Sequence, residues 1–480
     1  MTVQAPAELS SNPFRRIASD LWGERANNDR FPPGPKDFDL LRTRAFMRDP
    51  LRLLLSLYEE HGPIFSMRLF HMRDVFMLGP AANHYVTVSH AHNFHWREGS
   101  FGDLVPLLGD GLLTVDDDYH DRARRIMMPA FHRERVEASV ATMVAEAERA
   151  LDAWRVGEVV DVYDWARNLA MRIAMRALFG LDPDDGDTGA AAAHHFERAL
   201  YWYGTDPWVR VLRGPGTPWR RLIESRKVLD EIVLREVAAR RRNPDPERGD
   251  VLGLLVEATD EDGTGLSDQE VRDQAMTLLF AGHDTSTSTI TFMLYELARN
   301  PSALATLSAE QDAVLGGKPP AAEHLGGALP YLELVLDETL RLYPPAWIGP
   351  RRAMRSFEFA GYEVPAGSYV NYCSWASHRI PEVFPQPEAF IPERFERERK
   401  AALPKGAYVP FGGGQRICIG KRFGQTEVRV VTTMLLQRFA MELRAGRTMT
   451  VRQMPTLSPR GGLEMVVRER GSTAPQAQAA

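Results

Sequence analysis

The chain has 480 residues, 44% of them hydrophobic and 25% charged, and a net charge of −6. This balance belongs to a globular protein with room for one large domain or up to three ordinary ones, and it gives no reason to expect a nucleic acid as partner. Only two cysteines occur, Cys373 and Cys418, so a disulfide framework is excluded and a reducing compartment, the cytoplasm, is expected.

No run of about 18 apolar residues is present, so no membrane span is expected. Residues 1–31 read as a partly flexible leader without the apolar core of a signal peptide. Within it, Phe14 to Trp22 can form an amphipathic turn or two, packed on the body or resting on a membrane surface. Pro32-Pro33-Gly34-Pro35 is a stiff turn that ends the leader. A helix is predicted over Pro50 to His61, then strands over Ile64 to Phe70 and Asp74 to Leu78. Residues 94–113 are irregular, with Trp96, Phe101 and Leu107. From Asp116 to Phe131 a helix carries His120 and Arg124 four residues apart on one face. This is either a surface pair or, because two cations repel, a place for an anion between them. Residues 133–242 are mostly helical, broken at Gly180 to Gly189 and Gly214 to Pro218. Aromatic residues gather there at Tyr201-Trp202-Tyr203 and Trp208.

Ser267-Asp-Gln-Glu270 is a capping box, and Asn300-Pro301 is a stop signal. The helix between them is on the order of 48 Å long at 1.5 Å per residue. Apolar residues lie on several of its faces, so it is expected to be buried. Its middle, Ala281-Gly282-His283-Asp284-Thr285, breaks helix propensity, since Gly costs about 1 kcal/mol against Ala. Rule-breaking inside a core helix points to a site. Gly282 leaves a flat spot for a ring, Thr285 can bond back to the Ala281 carbonyl, and Asp284 supplies an acid. A polar kink holding buried water is the plainer reading, and it is compatible with moving protons.

Glu338 and Arg341 share one face of a helix that stops at Tyr343-Pro344-Pro345, where they can pair. Strands joined by glycine turns follow, from Phe357 to Tyr372. Near the end comes Phe411-Gly-Gly-Gly-Gln-Arg416-Ile-Cys418-Ile-Gly420, and then a helical stretch from Lys421 to Arg438. Glycines let a backbone approach a flat ligand closely. Cys418 falls in a turn before a helix, where free N–H groups favour a thiolate. A thiolate there can ligate haem iron; an inert cysteine beside a glycine turn is the alternative.

The pattern Phe-x-x-Gly-x-Arg-x-Cys-x-Gly resembles the haem-binding loop of the cytochrome P450 family. Ala281-Gly-His-Asp-Thr285, Glu338-Thr-Leu-Arg341 with Pro392-Glu-Arg394-Phe, and His120-x-x-x-Arg124 resemble three further signatures, in the family's order. The likeness spans about residues 32–468. It implies a mainly α-helical fold with a small β region (α+β), forming one catalytic domain over residues 32–470, followed by a disordered tail at 471–480. It also implies one haem b between the central helix and the cysteine loop. Cys418 would be the metal ligand, and Phe411, Gly412, Ala281 and Gly282 would lie against the ring. His120, Arg124, Arg351 and Arg416 would hold propionates. Glu338, Arg341 and Arg394 would lock the segment leading to the loop. Asp284 and Thr285 would deliver protons. Phe280, Ile348, Gly349, Trp202 and Pro455 are the implied substrate contacts.

The implied reaction is monooxygenation of an apolar small molecule by dioxygen, on a terpenoid, steroid, fatty acid or polyketide-like substrate. Electrons would come from an acidic ferredoxin or flavodoxin with its NAD(P)H-dependent reductase, docking on a basic face made by Lys421, Arg422, Arg416 and Arg125. A peroxygenase or isomerase on the same scaffold, or a haem-thiolate sensor, are the other classes. The acid–alcohol pair Asp284-Thr285 argues against both.

Overall fold

The computed structural model describes residues 13–27, 30–184, 188–205, 207–245, 249–260 and 262–471. Its axis is the helix Asp268–Arg299, 32 residues long, on which the Ser267 and Glu270 side chains close the expected capping box. Almost every residue from Val271 to Leu294 is buried, so the helix runs through the molecule and not along its surface. The helix Val162–Phe179 lies along it, and the helices Gly189–Leu200 and Pro218–Arg242 pack on one another over its N-terminal half. On another side sits the helix Lys421–Arg438, which follows the cysteine loop. The mainly helical architecture with small sheets agrees with the sequence expectation.

The largest sheet has five strands, in the order Ile64–Leu69, Met72–Met77, Tyr369–Cys373, Ile348–Ala353, Phe94–His95. Only the second and third run parallel, with Val75 opposite Val370. A three-stranded sheet joins Val159–Asp161, Glu464–Glu469 and Phe439–Leu443, bringing the chain's end back beside the helix Val162–Phe179. The inner strands Met72–Met77 and Tyr369–Cys373 are buried on both faces, whereas Ile348–Ala353 and Glu464–Glu469 alternate, as a strand with one covered face does.

Part of the leader is more ordered than a turn or two. Pro13–Ala26 is a 14-residue helix laid on the large sheet. Asp20 accepts from Arg352 and the Tyr369 hydroxyl, each at 3.2 Å, and Glu24 pairs with Arg68. The first twelve residues and the tail from 472 onward, expected to be flexible, lie outside the described residues. No helix among the described residues is long and apolar enough to cross a membrane.

Candidate active site

The run of burial along the central helix is interrupted at four residues. Phe280, Ala281, Gly282 and Thr285 are half-buried while their neighbours on both sides are closed off, so one side of the helix faces a cavity there. The Thr285 hydroxyl bonds back to the Ala281 carbonyl at 2.8 Å, which satisfies it without a neighbouring side chain. A Cβ on Gly282 would meet only Leu178, at an ordinary 3.7 Å. The flat spot therefore looks toward the helix Val162–Phe179, and Ala281 and Thr285 front the cavity instead.

Asp284 points away from the opening. It is buried, 3.5 Å from Arg167 Nε and 3.2 Å from the ring of His283. One residue on, Ser286 Oγ lies 2.5 Å from the carboxyl of Glu427 on the helix that follows the cysteine loop. Burial pushes Glu427 up to about 8, opposed only by the Ser286 bond. This contact ties the central helix to the cysteine segment.

In the cysteine loop, Gly412 and Gly414 have φ of 72° and 60°, left-handed values that favour glycine. A Cβ at Gly414 would also collide with the Thr87 carbonyl. The Cys418 amide donates to the Phe411 carbonyl at 3.0 Å, which folds the loop back on itself. Crowding by protein raises the Cys418 thiol above its ordinary value, against the Gly420 amide, Arg124 and Lys421. Ionisation there is left to a metal ion, which deprotonates a coordinating thiol.

Four basic residues from three segments converge beside this loop. Arg416 donates to the Val115 carbonyl at 2.8 Å and pairs with Asp116, while its Nη1 is buried with no partner. Burial pushes it down to about 10. Arg351 is buried, its guanidinium 3.8 Å from the Trp96 ring and 5.4 Å from Tyr372. Its Nη1 donates to the Pro350 carbonyl at 2.9 Å. Arg124 is half-buried, and burial lowers its pKa. His120 is buried against Asp121 at 2.9 Å. Burial, Arg416 and Arg124 push it down to about 4. A neutral ring can still donate one N–H. Buried guanidiniums with an orphaned donor call for anions, and a haem brings two carboxylates. The residues present therefore fit the expected group.

Arg341 donates to both Glu338 oxygens, at 2.7 and 2.8 Å, and both side chains are wholly buried. Arg394 reaches the same carboxylate at 3.3 Å. Arg341 also holds the carbonyls of His378, Pro387 and Ala389, so this cluster organises the backbone upstream of the cysteine loop.

The substrate contacts divide. Phe280 opens on the cavity, with Tyr203 at 6.3 Å beyond it. Ile348 and Pro455 are half-buried, and the turn after Pro455 is held by Ser288, which donates to the Leu457 carbonyl. Gly349 faces the Tyr372 ring, which a Cβ would strike, so it serves strand packing. Trp202 is buried between Tyr203 and Trp219, where it packs the junction of the helices Gly189–Leu200 and Pro218–Arg242. The Trp208 side chain lies outside the described residues. Sequence reasoning missed Trp96, Asp116, Arg167 and Glu427 as parts of the site. Only Glu427 left a signal: a carboxylate on an apolar helix stripe with Phe423, Val430 and Val431.

Cys418 lies in a cleft of about 610 Å³ together with Arg124, Arg133, Lys421, Arg422 and Arg429. Arg416 is not part of this basic face, because it is buried against Asp116.

A family model for cytochrome P450 matches residues 32–464. Cyclooctatin synthase of Streptomyces melanosporofaciens is 34% identical over 428 residues, 88% of this chain and 92% of that protein. Cyclooctat-9-en-7-ol 5-monooxygenase of the same organism is 32% identical over 85% of this chain and 88% of its own length. Among solved structures, a retinoic acid-bound cyanobacterial CYP120A1 superposes with a TM-score of 0.82 at 29% identity, over 92% of this chain and all of that one. Sequence, fold and relatives thus agree over nearly the whole chain, which belongs to the cytochrome P450 family of monooxygenases.

Proposed function

We propose that this enzyme binds haem b and inserts one atom of dioxygen into a C–H or C=C bond of an apolar, terpenoid-like molecule. The observation that carries the reading is the opening in the buried run Val271 to Leu294 of the central helix, with Thr285 at its edge and Asp284 directly behind. When bound, the haem supplies the one-electron and dioxygen chemistry, with a thiolate ligand favouring O–O cleavage.

The chain's own residues do the rest. Cys418 holds the metal, and Arg416, Arg351, Arg124 and His120 hold the propionates. Phe280, with Ala281 beside it, gives the cavity an apolar wall that excludes water from the substrate's side. Thr285 passes a proton inward from its hydroxyl, and Asp284 restores it through water. Ile348 and the turn at Pro455 border the substrate. The terpenoid class is supported by the printed names of the two Streptomyces relatives and by the retinoic acid in the cyanobacterial structure.

An acidic ferredoxin or flavodoxin, served by an NAD(P)H-dependent reductase, docks over the cleft rimmed by Arg133, Lys421, Arg422 and Arg429. Both cysteines are unbridged, which accords with work in the cytoplasm.

The test is a screen of terpenoids by the change in haem absorption on substrate binding, followed by turnover with a ferredoxin system. NAD(P)H-dependent oxygenation, uncoupled by Thr285→Ala and abolished with the thiolate-type ferrous carbonyl spectrum by Cys418→Ser, is expected. Full peroxide-driven activity after Thr285→Ala, with none from a reductase, would refute the reading.

A further inference from the structure

The first two helices are turned inside out. Along Pro13–Ala26 and the turn after it, the half-buried residues Ile17, Asp20, Glu24 and Asn27 recur every three or four positions and form one face, and all but Ile17 are polar. The opposite side carries Phe14, Leu21 and Trp22, with Trp22 79% exposed. The helix Leu40–Arg48 repeats the arrangement. Thr43 is buried, its hydroxyl accepting from the Phe70 amide at 3.0 Å, while Leu40, Leu41 and Met47 are exposed, Leu41 by 77%. A surface helix normally buries its apolar stripe. Here two successive helices bury polar groups and offer the apolar ones.

Both helices are moored to one turn, Phe70–His71, which joins the strands Ile64–Leu69 and Met72–Met77. Thr43 holds the Phe70 amide, Asp20 lies 3.5 Å from the His71 ring, and the exposed Phe38 ring is 6.3 Å from that of Phe70. Seven of the seventeen exposed large apolar side chains among the described residues fall between Phe14 and Met47, so they make a patch and not the usual scatter.

The charges are sorted the same way. Of the acids described in this stretch, Asp20 and Glu24 turn inward to Arg352 and Arg68, Asp37 pairs with Arg42 at 3.0 Å, and Asp39 and Asp49 cap helix N-termini. Arg15, Arg25, Arg44 and Arg48 stand exposed between the apolar residues and have no ion pair among the described residues. The face is therefore cationic on a chain of net charge −6. The twelve residues before Pro13 hold only Met1, Val3 and Leu9 as large apolar side chains, too few to cover it.

We propose that this face rests on a bilayer containing anionic lipid, which makes the protein a peripheral membrane protein without a span. Trp22, Leu21, Leu41 and Phe38 enter the boundary between headgroups and acyl chains, where an indole keeps its ring in the apolar layer and its N–H in the wet one. The arginines lay their stems along the same layer and reach the lipid phosphates. The inference does not depend on the reaction.

The test is flotation of the full-chain, haem-loaded protein with vesicles of equal parts phosphatidylglycerol and phosphatidylcholine, and with vesicles of phosphatidylcholine alone. Wild type is expected to float with the first and to be released by salt. Arg25→Gln with Arg44→Gln should lower partitioning about fivefold for each arginine removed. Trp22→Ser with Leu41→Ser should lower it by about tenfold or more, with an unchanged unfolding midpoint because both side chains are exposed. Quenching of tryptophan fluorescence by brominated lipid should shrink in Trp22→Phe. A wild type that floats with neither vesicle overturns the proposal. So does flotation that is unchanged in both double variants, or lost only in Lys421→Glu with Arg422→Glu, which would place the contact on the cysteine cleft. Self-association of the wild type, abolished by Trp22→Ser with Leu41→Ser and without flotation, would make a second copy of the chain the occupant and overturn it equally.

Discussion

Glu427 offers a quantitative test of how the central helix is joined to the cysteine segment. Its carboxyl is buried, Ser286 is its one hydrogen-bond partner, and its pKa is pushed from 4.5 up to about 8. Below pH 4.5 both folded and unfolded chains carry the proton. Between the two pKa values only the folded chain does, so folding takes up one proton and stability falls as pH rises. The slope is about 1.4 kcal/mol per pH unit for one proton. Glu427→Gln keeps the size and a bond to Ser286 but cannot ionise. Its stability relative to wild type should therefore climb by about 3 kcal/mol between about pH 5.5 and pH 8. Urea unfolding of both proteins at a series of pH values measures the difference. A difference that stays flat with pH would mean that Glu427 is not held protonated, and the reasoning from its burial would be wrong.

Three other outcomes follow from the same geometry. Glu338→Ala strands the buried Arg341 guanidinium and should cost roughly 3–5 kcal/mol in urea or thermal unfolding, whereas Arg394→Ala, on the partly exposed side, should cost less. Arg416→Leu removes the donor whose Nη1 has no protein partner, so haem should pass to apomyoglobin faster than from wild type; an unchanged rate would remove Arg416 from the propionate site. Lys421→Glu with Arg422→Glu should raise the KM for an acidic ferredoxin and flatten its dependence on ionic strength, and a KM that does not move would place the docking surface elsewhere.

Local signals carried much of this molecule. The capping box at Ser267, the proline stops and the two- and three-to-four-residue periods are short-range features, and the helices and strands they announce formed within a residue or two of expectation. The cysteine loop and the Ala281–Thr285 break were legible for the same reason: each is a contiguous stretch whose composition defies its own secondary structure. The Thr285 bond to Ala281 spans one helical turn, so it could be read directly from spacing.

What the sequence could not determine was which side each polar group would face. Arg167 meets Asp284 across 117 positions of chain, Asp116 meets Arg416 across 300, and Glu427 meets Ser286 across 141. No local pattern encodes such a meeting. Burial then decided the charges: His120 became neutral and Glu427 was kept protonated. Desolvation depends on everything packed within a few ångströms, and it exists only once the tertiary structure has closed around the group. The chain alone thus supplied the chemical parts and their local geometry, and the folded core set their protonation and partners.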